Sequence, residues 1–171
     1  MTDRERRFAE VMSENRAKIF RTCRAYTNDD DDAKDLLQEC SVNIWKNIEK
    51  FRGESNIATW IFRIAVNTCL MHIRKEKKGK EIFQRQDIIP DTAHTDNEGQ
   101  KLEEERQLEM LHACIHALPE TDRLICVMLL EDLSYKQIAE ATGLTLNHVG
   151  VKINRIKKRL TEKMEERQHG I

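Results

Sequence analysis

The sequence predicts an all-α fold in which two small helical domains are joined by a flexible linker and the C-terminal domain carries a helix-turn-helix. Three observations predict it. Apolar residues recur at steps of three and four along the chain, while strand-like alternation is nearly absent. Residues 79–100 interrupt that pattern with few strong apolar positions, two of the six glycines and one of the two prolines. Charge is also arranged in blocks. Residues 72–80 hold five Lys/Arg and one Glu, residues 147–160 hold five Lys/Arg and no acid, and residues 81–109 hold nine Asp/Glu against three Lys/Arg. A formal net charge of -1 conceals this layout, in which two basic stretches flanking an acidic one imply two binding surfaces.

The 171 residues are 39% hydrophobic, 35% charged and 5% aromatic, which suits one ordinary domain or two small ones rather than a large two-layer enzyme. No apolar run approaches the roughly 18 residues of a membrane-spanning helix, and the charged start MTDRERRFAE leads into no signal-peptide core. A cytoplasmic protein without membrane insertion is expected. The five cysteines, Cys23, Cys40, Cys69, Cys114 and Cys126, are odd in number and form no CxxC pair, so they read as small buried hydrophobes. His112, Cys114 and His116 sit one helical turn apart, but no second ligand pair stands at a familiar metal spacing. No glycine-rich phosphate loop, HExxH or GxSxG occurs, so neither an enzyme nor a cofactor is expected.

The first domain is expected over residues 1–78. A helix from about Thr2 to Tyr26 turns Phe8, Val11, Met12, Ile19, Phe20 and Cys23 inward. The acidic run Asn28 to Asp32 then places negative charge at the start of the next helix, where the helix dipole favours it. In that helix Ala33, Leu37, Cys40, Ile44, Ile48 and Phe51 form a buried stripe, and Asp35, Gln38 and Glu39 form a polar patch off it. Arg52-Gly53-Glu54-Ser55-Asn56 reads as a loop. A long helix from about Ile57 to Lys75 follows, burying Ile61, Ile64, Ala65, Thr68 and Cys69. Trp60 and Phe62 admit two readings: core residues, or aromatic faces for stacking unpaired bases beside a basic helix end.

The linker is expected over residues 79–102, and the 22 weakly apolar residues 79–100 within it, extended at about 3.3 Å each, could reach roughly 70 Å. The last domain is expected over residues 103–171. Leu108, Leu111, Ile115 and Leu118 form a stripe that stops at Pro119, and Thr121 can cap a helix carrying Leu124, Ile125, Met128 and Leu129. Ser134 and Gln137 then make a capping box, Gly143 permits a tight turn, and Thr145 caps a last helix whose Val149, Ile153, Ile156 and Leu160 are apolar. Helix, glycine turn and helix match a DNA-reading helix-turn-helix, although an ordinary helical hairpin has the same outline. On the last helix Lys152, Arg155 and Arg159 share a face expected to point away from the apolar stripe, toward phosphates. Asn147, His148 and Lys152 lie in its first two turns, toward base edges.

Residues 32–75, DAKDLLQECSVNIWKNIEKFRGESNIATWIFRIAVNTCLMHIRK, resemble the second conserved region of the extracytoplasmic-function (ECF) class of bacterial sigma factors. Residues 118–160, LPETDRLICVMLLEDLSYKQIAEATGLTLNHVGVKINRIKKRL, resemble their fourth region. The resemblance implies a protein that binds core RNA polymerase and directs promoter recognition and melting. It places the single-stranded −10 element on the first domain and the duplex −35 element on the last. Asp35, Gln38 and Glu39 would dock on the largest polymerase subunit, and Trp60 would act in opening the duplex. Arg52, Gly53, Ser55 and Asn56 would hold a flipped-out base, with Arg63, Asn67, Arg74 and Lys75 on neighbouring −10 nucleotides. Asn147, His148, Lys152, Arg155, Lys158 and Arg159 would meet the −35 duplex. Many relatives are held inactive by an anti-sigma factor.

Two departures stand out. Ile57 and Ala58 occupy positions where many relatives carry aromatics, and His148-Val149-Gly150-Val151 replaces a common Thr-Val-Lys-Ser. Gly150 weakens a helix interior by roughly 1 kcal/mol relative to Ala, which close approach to DNA would explain. The alternatives are a helix-turn-helix regulator acting on duplex DNA without polymerase and an adaptor that docks on polymerase and reads no DNA.

Overall fold

The computed structural model describes residues 1–83 and 101–170, so most of the expected linker lies outside the described residues. The described residues are helical and contain no strand. The first domain comprises α1 (Asp3–Arg24), α2 (Asp30–Asn47), a short 3-10 turn (Ile48–Lys50) and α3 (Ile57–Phe83). The second comprises α4 (Lys101–His116), α5 (Glu120–Leu130), α6 (Tyr135–Thr142) and α7 (Leu146–Gln168).

Each start has a local cause. Thr2 and Glu5 form a capping box at α1, and Asp29 accepts the Asp32 N–H at the head of α2. The sequence TDRE carried the first of these signals. Helix α3 continues to Phe83, past the expected end near Lys75, because the basic run Arg74–Lys78 contains good helix formers and no Pro. Helix α5 begins after Pro119, which takes the cap position two residues before the expected Thr121, since a proline at the helix boundary sacrifices no hydrogen bond.

Helices α1, α2 and α3 pack into one core around Ile19, Cys23, Leu36, Cys40, Ile44, Ile61, Phe62 and Cys69. Phe62 is fully buried, which resolves the two readings of that residue in favour of the core, while Trp60 is only partly buried. Phe51, expected in the buried stripe, is half-buried instead, because α2 gives way to the 3-10 turn and its ring comes to rest against Trp60. In the second domain Leu108 faces solvent and α4 buries Cys114 and Ile115. Helices α5, α6 and α7 enclose Leu124, Ile125, Met128, Ile138, Val149, Ile153 and Ile156.

The two domains touch. Arg21 of α1 binds Glu131, at the end of α5, through both guanidinium donors, the Nη2–Oε2 distance being 2.7 Å. Glu131 is buried, and this pairing raises the Arg21 pKa further. Lys77 lies 3.6 Å from Glu120, and the Nε2 of His116 is 3.2 Å from the Arg24 carbonyl. Tyr26 is buried at the seam beneath Arg123, whose guanidinium carbon is 5.4 Å from the ring centroid. Helix α6 also packs against α3.

Because much of this contact is ionic, charge removal should loosen it. A Glu131→Gln, Lys77→Ala variant is expected to have a larger radius of gyration than the wild type in low salt by small-angle scattering. The difference should vanish in about 1 M salt, where charges are screened within about 3 Å. Equal radii in low salt would mean that apolar packing around Tyr26 holds the domains.

Candidate nucleic-acid interface

The loop before α3 is built to hold a pocket open. Gly53 adopts φ +77°, a conformation open to glycine without strain. The Asn56 side chain accepts the Ala58 N–H at 2.8 Å and its carbonyl accepts the Trp60 N–H at 3.1 Å, so Asn56 serves as the cap of α3. Beside it lies a cavity of about 920 Å³ lined by Lys50, Phe51, Arg52, Ser55, Thr59, Trp60 and Arg63, with Glu49, Glu54 and Glu140 as its acidic members. Glu140 comes from α6, so the second domain supplies one wall.

The rings of Phe51 and Trp60 meet at 5.4 Å and 55°. Arg7 stands over the Phe51 ring at 5.4 Å and adds a cation to this aromatic wall. The Thr59 hydroxyl is buried against this cavity without a hydrogen-bond partner, an uncommon cost unless something supplies the bond. An aromatic wall, three cations and an unpaired hydroxyl can stack a flat ring, hold an anion beside it and hydrogen-bond its edge.

Trp60 separates this cavity from a second one, about 380 Å³, lined by Asn43, Asn47, Lys50, Asn67 and Met71 among others. The amide donors of Asn43 and Asn47 are already engaged, by the Thr68 hydroxyl at 3.0 Å and the Asn43 carbonyl at 2.8 Å. Asn67 is exposed and makes no such bond. Trp60, Arg63, Asn67, Met71 and Arg74 recur at helical steps and form one stripe along α3, with Lys75 at its edge. Arg74 and Lys75 stand roughly 20 Å along the helix from Trp60, outside both cavities.

On α2, Asp35, Gln38 and Glu39 are all exposed, as the spacing predicts, and Val42, 48% exposed one turn on, extends the patch with an apolar group. The sequence reading did not single out Val42, Lys50 or Thr59. Only Thr59, beside Trp60 in the Thr-Trp pair, carried a signal.

The helix-turn-helix forms as its caps predict. Ser134 and Gln137 exchange both capping-box bonds, Gly143 takes φ +74°, and the Thr145 hydroxyl accepts the His148 N–H at 3.2 Å. Asn147, His148, Arg155 and Lys158 are exposed on α7. Lys152 and Arg159 differ from expectation: they turn toward α5, placing Nζ 2.8 Å and Nη1 3.1 Å from the two carboxylate oxygens of buried Asp122. A carboxylate in the apolar interior must be paired, and these two neighbouring cations on α7 are within reach. Within the chain an added Cβ at Gly150 would meet only Tyr135 Cε2, at 4.0 Å.

His112 and His116 form no metal cluster among the described residues; burial lowers both pKa values, and His116 spends its ring nitrogen on Arg24.

Two helical domains, one with an aromatic pocket and one with a capped helix-turn-helix, have the outline of a DNA-reading protein. Family models narrow this: Sigma-70 region 2 matches residues 11–79 and Sigma-70, region 4, matches residues 108–160. The ECF RNA polymerase sigma-E factor of Haemophilus influenzae is 31% identical over 145 residues, covering 78% of this chain and 75% of its own. RNA polymerase sigma factor YlaC of Bacillus subtilis is 30% identical over 141 residues, covering 78% and 80%. The solved structure of the sigma factor RpoE with the anti-sigma factor NepR, from Bartonella quintana, shares the fold at a TM-score of 0.75, with 19% identity and 92% and 96% coverage. That of CnrH with the cytosolic domain of CnrY gives 0.68, with 16% identity and 94% and 89% coverage. The chain belongs to the ECF class of sigma-70 factors.

Gly150→Ala should raise the stability of the second domain by about 0.5–1 kcal/mol, because it gains helix propensity where there is room for a methyl group. Chemical denaturation followed by circular dichroism checks this, and a fall in stability would mean that Tyr135 cannot give way.

Proposed function

We propose that this chain binds core RNA polymerase in the cytoplasm and directs it to promoters, the first domain capturing an unpaired −10 base and the second reading the −35 duplex. The observation that carries the reading is the cavity beside Trp60, where an unpartnered Thr59 hydroxyl, an aromatic wall and the cations Lys50, Arg52 and Arg63 converge. Unstacking a base costs a few kcal/mol, and stacking returns about 1–3 kcal/mol, so hydrogen bonding and phosphate contacts supply the balance.

Asp35, Gln38 and Glu39, with Val42, form the surface offered to polymerase. Arg52, Ser55, Thr59, Trp60 and Arg63 form the pocket, Gly53 and Asn56 shape its loop, and Asn67, Arg74 and Lys75 guide the strand along α3. On α7, Asn147 and His148 face bases while Arg155 and Lys158 face phosphates. Lys152 and Arg159 act differently, since their bonds to Asp122 orient α7 against α5. Reading two separate promoter elements requires the domains to part, and the 17 residues between α3 and α4, at about 3.3 Å each, allow at most roughly 56 Å between the helix ends. An anti-sigma protein that holds the domains together would keep the factor inactive.

The test adds the full chain to core polymerase on a promoter library and maps start sites and permanganate-reactive bases. Defined starts with a melted bubble are expected. Trp60→Ala should abolish the bubble and Thr59→Val should reduce it about tenfold, both with unchanged polymerase binding. Polymerase binding without starts would favour the adaptor reading. Tight duplex binding without polymerase would favour the free-standing regulator.

For the −35 contact, Arg155→Ala should weaken promoter binding similarly across sequences and reduce the log–log salt slope by about 1. His148→Ala should change the preferred −35 sequence instead. A sequence-selective effect of Arg155→Ala would move that residue from phosphate to base.

A further inference from the structure

Three thiols from three helices converge in the first domain: Cys23 of α1, Cys40 of α2 and Cys69 of α3, each with no exposed surface. Their sulfurs all lie within 4.8 Å of one another, the Cys23–Cys40 pair at 3.8 Å, and none is in a disulfide. They are the only such ligand cluster among the described residues. Cys114 and Cys126 lie apart on α4 and α5.

The equidistant point in the plane of three sulfurs so spaced lies about 2.2–2.6 Å from each, a range that includes the roughly 2.3 Å of a zinc–thiolate bond, and a pyramidal centre standing out of that plane would draw the sulfurs closer together. The ring offers sulfur alone. Zinc ordinarily takes a fourth ligand, and the nearest non-sulfur candidates here are already used: the Thr68 hydroxyl bonds the Ile64 carbonyl at 2.8 Å, and Ala65's carbonyl belongs to the α3 backbone. Charge then discriminates among soft ions. Three thiolates leave a net charge of about −2 around a monovalent ion and −1 around a divalent one, whereas a trivalent centre is neutral, as burial in an apolar core favours.

We propose that Cys23, Cys40 and Cys69 form a trithiolate site for a trivalent thiophilic metalloid, with arsenite as its representative. Three S–H bonds and three As–O bonds break, three As–S bonds form, and three waters leave carrying the thiol protons. Arsenic stays trivalent, so no oxidant or reductant is required. Because the thiols are closed to solvent, entry needs transient separation of the helices, and uptake is slow. Once bound, the centre cross-links all three helices of the domain and stabilises it by mass action.

The experiment uses the full chain, reduced and free of oxygen, incubated with sodium arsenite. Native mass spectrometry should find one arsenic with three protons lost, and X-ray absorption should find three sulfur neighbours. Uptake should fall at least tenfold in folded Cys40→Ala and Cys69→Ala and persist in Cys126→Ala. Absence of bound arsenic, uptake unchanged in Cys40→Ala, or displacement by equimolar zinc or cuprous ion would overturn the proposal. Should the alanine variants fail to fold, oxygen neighbours or only two sulfurs around arsenic in the wild type would overturn it as well.

Discussion

Helix α3 buries Ile61, Phe62, Ala65, Val66 and Cys69 on one side and presents Trp60, Arg63, Asn67 and Arg74 on the other, and the first domain's chemistry depends on that division. The buried side fixes the helix rotation against α1 and α2, since turning it by one residue would bring Arg63 or Asn67 into the core. Rotation, in turn, fixes where the Trp60 ring lies. The Asn56 cap fixes where α3 starts, and thereby how far Trp60 stands from Phe51 and the Gly53 loop. The aromatic wall is thus a by-product of core packing plus one cap, which makes it rigid without any bond of its own.

In the second domain the corresponding constraint is a charge. Asp122 lies almost wholly inside, and its two oxygens are met by Lys152 and Arg159, two turns apart on α7. Removing one partner from a buried pair costs far more than the pair contributes, so the network holds α7 in one rotation whatever its net effect on stability. Asn147, His148 and Arg155 remain outside because Val149, Ile153 and Ile156 on the opposite face are buried. Apolar packing and the buried carboxylate therefore set the same rotation.

Much of this was legible in the sequence. The seven α-helices among the described residues follow from three- and four-residue periodicity, and the ends bounded by Ser134, Gly143 and Thr145 lie where cap chemistry puts them, because those signals are local. What depends on contacts distant in sequence was not legible. Lys152 and Arg159 look like free phosphate ligands until Asp122, 30 and 37 residues away, is seen to face them. Glu140 joins the pocket only through packing of α6 on α3, and the three thiols meet only through the arrangement of α1, α2 and α3. The Trp60–Phe51 wall falls between these cases: the loop and both aromatics could be read locally, their contact could not.

The domain contact is also opposed in sign to the pocket it borders. Lys50, Arg52 and Arg63 outnumber Glu49 and Glu54 by one charge on the first domain's side, and Glu140 of the other domain brings the lining to formal neutrality. A nucleic-acid strand and α6 thus compete for the same positive ground, with the strand carrying one charge per nucleotide against a single carboxylate. The remaining ionic contacts, Arg21–Glu131 and Lys77–Glu120, each involve a partner that is at least half exposed. Lys77–Glu120 is of the exposed kind that contributes about 0–1 kcal/mol, whereas Arg21–Glu131 sets a half-exposed guanidinium on a buried carboxylate. Phosphate contacts compete with the ionic part of the closed arrangement, and the Tyr26 seam adds an apolar part that salt does not screen.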